Sequence, residues 1–370
     1  LASSMAADEQ RLQLARVVNA ELERLCQELL TASGCQEESL MFVAVAGNSA
    51  MEHLLLALPV ERLAHPPYLP LFNEGQHRRT TELGWFLDRP LYLFPLPGGF
   101  VGGDLVAFLF GLERERELVD GLYIDLGTNA EIALTHDREI IATAAAAGPA
   151  FEGGNLSSGM PALAGAISRV ILHAGRLRLE TIDNVSPIGL CGSGVLSLLA
   201  LLLEEGVIDR QGTFVSSTHC GSPLASRVMT GDDGVAFLVY RDATRAIFLS
   251  QEDIRQFQLA KGAVAAAMDV LFERLSVEPD AIGQVVLTGS FAAGIQLSDL
   301  KKVGLLPESM LKMTRFFPDG ARRGVEGAMT MADNFAAVEL LARRIRVIPL
   351  SGTPAFATQF LSRIDFPAPH

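Results

Sequence analysis

The chain has 370 residues, 43 of them acidic against 30 basic, for a net charge of −13. Negative charge on that scale excludes a coat for nucleic acid or anionic membrane and leaves solubility, or a basic partner, as its use. At about 150 residues per structural unit the length predicts two or three units, and with 49% apolar residues a large core can form. Cys26, Cys35, Cys191 and Cys220 show no C-x-x-C spacing and no set suited to zinc or an iron–sulfur cluster. Free thiols of a cytoplasmic protein are therefore expected. The longest apolar runs, such as residues 195–203, fall well short of the ~20 residues of a membrane span, and no secretory signal opens the chain. It begins on Leu1 in polar helical sequence, which points to a piece of something longer.

Residues 9–33 carry Leu12, Leu14, Val17, Val18, Leu22, Leu25 and Leu29 near helical spacing, which predicts a helix. The apolar run 41–46 predicts a buried strand, ending in Gly47-Asn48-Ser49 before a helix over 50–57. Seven prolines between 59 and 99 exclude long helices and central strands there. An irregular excursion is expected, then a helix over about 102–118. From Gly121 the texture changes: strand 122–124 stops at Asp125-Leu126-Gly127-Thr128-Asn129, and strands 131–135 and 139–144 follow around the turn His136-Asp137-Arg138. That is a three-stranded meander. After the glycine-rich stretch 148–155, Cys191-Gly192-Ser193-Gly194 opens a helix apolar on nearly every side, hence buried, with Gly206 suited to its stop. Ser250 and Asp253 form a capping-box-like start for a helix to about 275. A buried strand over 284–287, a helix near 327–343, a strand over 345–350 and a short amphipathic helix over 354–361 complete the chain.

Several of these turns can do chemistry. In Asp125–Glu131, Gly127 lets the backbone approach a ligand closely, Thr128 and Asn129 can hold phosphate oxygens, and Asp125 at the strand end can order Mg²⁺ through water. Read alone, an ordinary Gly-Thr-Asn hairpin accounts for the same residues. Thr288-Gly289-Ser290 after a buried strand would let a ring or ribose lie on the backbone, or serves packing only. Lys261 falls between Phe257 and Val264 on the apolar stripe of its helix, so it either snorkels or meets an anion. Glu152-Gly153-Gly154, with Gly148 upstream, can offer backbone N–H groups to an anion, or is a loop needing positive φ. Gly192-Ser193-Gly194 has the same two readings, close packing favoured. Cys191 is expected to be an inert buried thiol, and His53 a satisfied structural histidine.

The order of these elements is similar to that shared by actin, the heat-shock chaperone ATPases and sugar kinases: connect 1 (Gly47 to Ala57), phosphate 2 (Asp125 to Glu131), Glu-Gly-Gly, adenosine (Gly289, Ser290) and connect 2 (Gly327, Ala328). The wording GNSAMEHLLLAL, LPGGFVGGD, DLGTNAEIAL, AAGPAFEGGNLSSGM, LCGSG, EEGVIDRQG, DIRQFQLAKGA and GLLPE resembles, over nearly the whole chain, the actin-like (ASKHA-superfamily) domain of the reductive activators of corrinoid proteins. The resemblance implies an α/β fold with two ribonuclease-H-like halves and ATP·Mg between them. Residues 1–118 would be the remainder of a truncated first half, 119–345 a complete nucleotide-binding second half, and 346–370 a strand and helix packing back. Asp125 would orient Mg²⁺ water, with Gly127, Thr128, Asn129 and Glu131 at the phosphates, Glu152, Gly153 and Gly154 beside them, and Lys261, Gly289 and Ser290 on the nucleoside side. The implied activity is ATP-dependent reduction of a partner corrinoid protein from Co(II) to Co(I) for methyl transfer, with electrons arriving through a 2Fe–2S domain. No cysteine set here fits that cluster, and the earlier Asp-x-Gly-Thr strand, phosphate 1, does not precede the first helix. A C-terminal piece is therefore expected, with the cluster in a domain outside it. No nucleic acid or membrane is expected among its partners, and a homodimer is left open. An actin-like small-molecule kinase and a nucleotide-free module that docks a corrinoid protein stand as the alternatives.

Overall fold

The computed structural model describes residues 8–231, 234–289 and 294–368. They divide into two units: one takes the chain up to Val119 with Glu139–Ala142 and Asp319–Ile348, the other takes Asp120–Arg138, Thr143–Pro318 and the chain from Pro349 on. The first unit opens with α1 (Asp8–Ser33). The helical spacing is as expected, but the buried face is not the one the leucines mark. Ala15, Asn19 and Glu23 are buried, Val18 and Leu22 pack on the Leu55–Leu91–Leu93 core, and Leu12, Leu14, Val17, Leu25 and Leu29 are exposed. Two polar side chains decide the face. The Asn19 amide donates to Leu55 O (2.9 Å) and accepts from Trp85 Nε1 (3.0 Å), while Glu23 accepts the Phe86 and Leu87 N–H groups (2.8 and 2.9 Å). Buried polar groups persist where their bonds are made.

β1 (Val43–Val45) is half-buried rather than fully so, and α2 (Ser49–Leu55) is capped by Asn48, whose Oδ1 accepts from Met51 N–H (2.9 Å). β2 (Gln76–Arg79) and β3 (Pro90–Leu93) complete a sheet in the order β1-β3-β2. The proline-rich stretch thus does contribute a central strand. Pro90 is its first residue, where the missing N–H breaks no interior ladder. α3 (Gly103–Arg114) follows, buried along most of its length.

The second unit begins with the expected meander, β4 (Gly121–Leu126), β5 (Ala130–His136) and β6 (Glu139–Ala145, divided between the units). Beyond it come strands that periodicity did not reveal: β7 (Ala166–His173), β8 (Arg176–Thr181) and β9 (Gly189–Leu190) in the order β8-β7-β9, and β10 (Val228–Gly231), β11 (Gly234–Arg241) and β12 (Ala246–Ser250) as a second small sheet. α4 (Gly192–Glu204) is buried over its first eleven residues. A Cβ on Gly194 would lie 2.0 Å from Ile167 O, so that glycine serves close packing. Cys191 is a buried thiol donating to Ile167 O (3.3 Å). α5 (Gln251–Leu275) starts with the expected capping box of Ser250 and Asp253. β13 (Gln284–Thr288) lies parallel to β4, and β14 (Thr314–Phe316) parallel to β13.

The chain then returns to the first unit. The single helix expected near 327–343 is two, α6 (Gly320–Met329) and α7 (Ala336–Arg344). Asn334 and Phe335 separate them with left-handed φ of 52° and 66°, and the Phe335 ring stacks on Tyr92 at 3.8 Å. α6 packs on α3. The residue that permits it is Gly324, where a Cβ would lie 1.7 Å from Ala107 O, whereas one on Gly327 would meet only Arg114 Cγ at 3.8 Å. β15 (Ile345–Val347) pairs in parallel with residues 140–142 of β6.

Two carboxyls of this unit, Glu52 and Asp104, titrate above their ordinary range. Glu52 is 1% exposed. Its Oε1 accepts Gly47 N–H (3.1 Å), and its Oε2 has no hydrogen-bond partner among the described residues. Burial, with Asp104 adding repulsion, holds Glu52 well above the carboxylate range, and burial lifts Asp104 to about 6. A raised carboxyl pKa means that the fold binds the proton more tightly than the unfolded chain does. The stabilisation is complete at low pH and is lost as pH rises through the folded-state value. Glu52→Gln, permanently neutral, should raise stability at pH 7.5 and leave it unchanged at pH 4. Denaturant titrations at the two pH values measure this, and an equal shift at both would count against it.

Candidate functional site

β4 and β13 run parallel in register, with Thr288 opposite Asp125. Their following turns therefore open at the same end of the sheet, where open α/β sheets place ligands. Gly289 has φ +100°, and a Cβ there would lie 2.4 Å from Leu126 O and 2.7 Å from Asp125 Oδ1. Only glycine fits so close to the aspartate. On the other side β4 turns into β5 through Gly127–Asn129, with Thr128 exposed and its neighbours half-exposed. Asp125 pairs directly with Glu131, which is buried. Directly opposed side chains share a face, so the two carboxyl groups lie side by side. Mg²⁺ is suited to such a place, since it takes one or two carboxylates and keeps water and phosphate for the rest. Among the described residues no cluster of three or more His, Cys, Asp or Glu closes on a metal.

Glu152 joins this turn from a distance. It ends a single 3-10 turn, Pro149–Glu152, after Phe151, which is fully buried edge-on against Phe257 of α5 (5.5 Å). Thr128 Oγ1 donates to Glu152 Oε2. Gly153 and Gly154 do not offer their N–H groups to an anion as expected. Those groups donate to Ala150 O (3.2 Å) and Pro149 O (2.8 Å) and close the turn. Gly153 instead supplies a left-handed φ of 78°.

Lys261 is on the buried seam as the stripe predicts, 1% exposed, but neither solvent nor a nucleotide satisfies it. Its Nζ donates to Arg363 O (2.6 Å) and Asp365 O (2.5 Å) and lies 5.3 Å from the Phe366 ring centre, so α8 (Pro354–Arg363) and the residues after it are clasped to α5. Burial, with Arg363 adding repulsion, pushes the ammonium down to about 8. Lys261→Met should cost about 2 kcal/mol at pH 7, the price of two carbonyls left unpaired. The wild type should gain stability between about pH 8 and 10.5, because there the unfolded chain still holds a proton that the fold has released. The variant should show no such rise. Denaturation at pH 7 and 9.5 reads both effects, and an unchanged midpoint at pH 7 would sink the clasp.

Ser290 lies outside the described residues. His53 is a satisfied structural histidine, its Nδ1 on Ser49 O (2.7 Å) and its Nε2 accepting Leu71 N–H (3.0 Å). A separate groove of about 360 Å³, lined by Arg169, Ser197, Glu204, Asp299 and Lys302 among others, holds none of the turn residues.

Parallel strands ending together on Asp125 and Gly289, with a hairpin turn of Gly-Thr-Asn beside them, define an actin-like nucleotide domain of the ASKHA class. Residues 120–370 match the C-terminal domain of RACo, the ASKHA domain, and residues 2–116 match the RACo middle region. The chain belongs to the RACo family, as its motifs led one to expect. It is 29% identical over 328 residues to the corrinoid activation enzyme RamQ of Eubacterium limosum, covering 86% of this chain and 55% of that protein. It is 25% identical over 238 residues to a Co(II) methylated amine-specific corrinoid protein reductase of Methanosarcina barkeri, covering 58% of this chain and 40% of that one. The solved structure of a reductive activator for corrinoid, iron-sulfur protein superposes with a TM-score of 0.88 at 27% identity, over 98% of this chain and 58% of that one. The chain spans about half the length of the curated relatives it matches.

Proposed function

We propose that this chain is the ATPase part of a protein that drives a partner corrinoid protein of a methyltransferase system from Co(II) to Co(I). The observation that carries the reading is the in-register end of β4 and β13, which brings Asp125 and Gly289 together in a chain of the RACo family. Asp125, with Glu131 opposite, would hold the water shell of Mg²⁺. Gly127, Thr128 and Asn129 would receive the phosphates, and the bare backbone of Gly289 would admit the nucleoside. Hydrolysis is then a matter of positioning water and stabilising charge. ATP supplies free energy for an electron transfer that is uphill from ordinary donors, and differential affinity for two conformations is the means by which binding can be coupled to it. The electron would come through a 2Fe–2S domain outside this chain. No helix among the described residues is long and apolar enough to cross a membrane.

Calorimetry with MgATP on this chain and on the full-length protein, together with the Co(II) absorbance of a corrinoid partner, tests the proposal. Tight binding by the full-length protein, weak binding by the chain and ATP-dependent loss of the Co(II) band are expected. Equal tight affinity in both would mean that the phosphates are held differently. Absence of binding in both would favour a docking module, and a phosphorylated small-molecule product a kinase.

A further inference from the structure

A turn suited to phosphate already carries an acid. The Thr128 hydroxyl donates to Glu152, 24 residues away in sequence, and Glu152 Oε1 lies 3.7 Å from where a Cβ on Gly127 would stand. The carboxylate is held there by its backbone. Phe151 before it is fully buried, and Gly153 after it sits so tightly that a Cβ would lie 2.5 Å from Met160 O. The loop beyond is pinned by Met160 N–H on Leu190 O (2.9 Å), Leu190 N–H on Ser158 O (2.8 Å) and Ser157 N–H on Asp253 (2.8 Å). A hydroxyl has one proton to donate, so a phosphate oxygen can take the Thr128 proton only by displacing Glu152. The two acceptors also carry like charge at short range, where repulsion is strong.

We propose that Glu152 is a specificity-determining residue of the phosphate site: it holds Thr128 in the nucleotide-free state and makes phosphate binding conditional on a divalent cation. The inference rests on the reading of the Asp125 turn as the phosphate site. A cation neutralises the incoming charge and lets Thr128 exchange one acceptor for the other, while a bare polyphosphate is turned away. The test is calorimetry on the full-length wild type, Glu152→Gln and Glu152→Ala, with ATP and with ADP, in excess Mg²⁺ and in EDTA, with a thermal melt to show that each variant is folded. The wild type should bind far more weakly in EDTA. Removing the charge should narrow that gap by about tenfold or more, chiefly by strengthening the metal-free arm. A gap unchanged in both variants, or a loss of affinity in both arms, overturns the role of Glu152 and leaves the site reading intact. A wild type that binds no nucleotide in either condition overturns both.

Discussion

Asp125→Asn in the full-length protein should slow ATP-dependent corrinoid reduction by at least about 100-fold, the scale of losing a preorganised charge at a reacting phosphate, with little change in stability. Asp125 stands at the end of β4, opposite Glu131 and beside the backbone of Gly289. Asparagine is nearly isosteric and keeps an acceptor, so the strand and its turn should survive. On the proposed reading the lost charge is the one that orders the water shell of Mg²⁺. The decay of the Co(II) absorbance at saturating ATP reads the rate, and MgATP calorimetry separates binding from turnover. A rate near wild type would remove Asp125 from the site, while a variant that melts early would show that its role is in the fold.

What could be seen in the sequence was what lies close together along the chain. The Asp125 hairpin was legible because its strands, turn residues and acid fall within sixteen consecutive positions, and the meander β4–β6 followed from them. Nothing local reveals the pairing of β13 with β4, since Asp125 and Gly283, the residue before β13, lie 158 positions apart. The strands β7–β12 went unread. β8, with its sequence RLRLET, is half-buried or exposed, and the apolar alternation that marks a strand is weak where neither face is fully covered. Lys261 could be placed on the buried seam by spacing alone, but its true acceptors are carbonyls about a hundred residues downstream. The bond between Glu152 and Thr128 has the same character: each residue was singled out for its own turn, and nothing local said that they touch. In α1 the leucines mark a helix correctly, yet Asn19 and Glu23 choose its buried face through partners at 55 and 85–87.

Gly324→Ala should destabilise the protein by about 3 kcal/mol or more, at or beyond the upper end of overpacking costs, whereas Gly327→Ala, one turn on in the same helix, should stabilise it by up to about 1 kcal/mol. Both changes improve helix propensity by the same amount, so the contrast isolates packing. A methyl on Gly324 would stand 1.7 Å from Ala107 O, 2.3 Å from Ala107 C and 2.9 Å from Ala107 Cα. All three are backbone atoms of α3, so no side-chain rotation can make room and the two helices must part. α3 cannot yield easily, because Leu105, Val106, Phe108 and Leu109 beside the contact are fully buried. Gly111 meets α6 from the opposite side, its own Cβ position 3.1 Å from Gly324 N, so the crossing depends on bare backbone on both helices. At Gly327 the nearest atom is the flexible Arg114 Cγ, at an ordinary 3.8 Å. Urea titrations of the two variants and the wild type decide the matter through their midpoints. Equal midpoints for the two variants would mean that α3 and α6 do not approach as closely as described, and a more stable Gly324→Ala would assign that glycine to helix propensity alone.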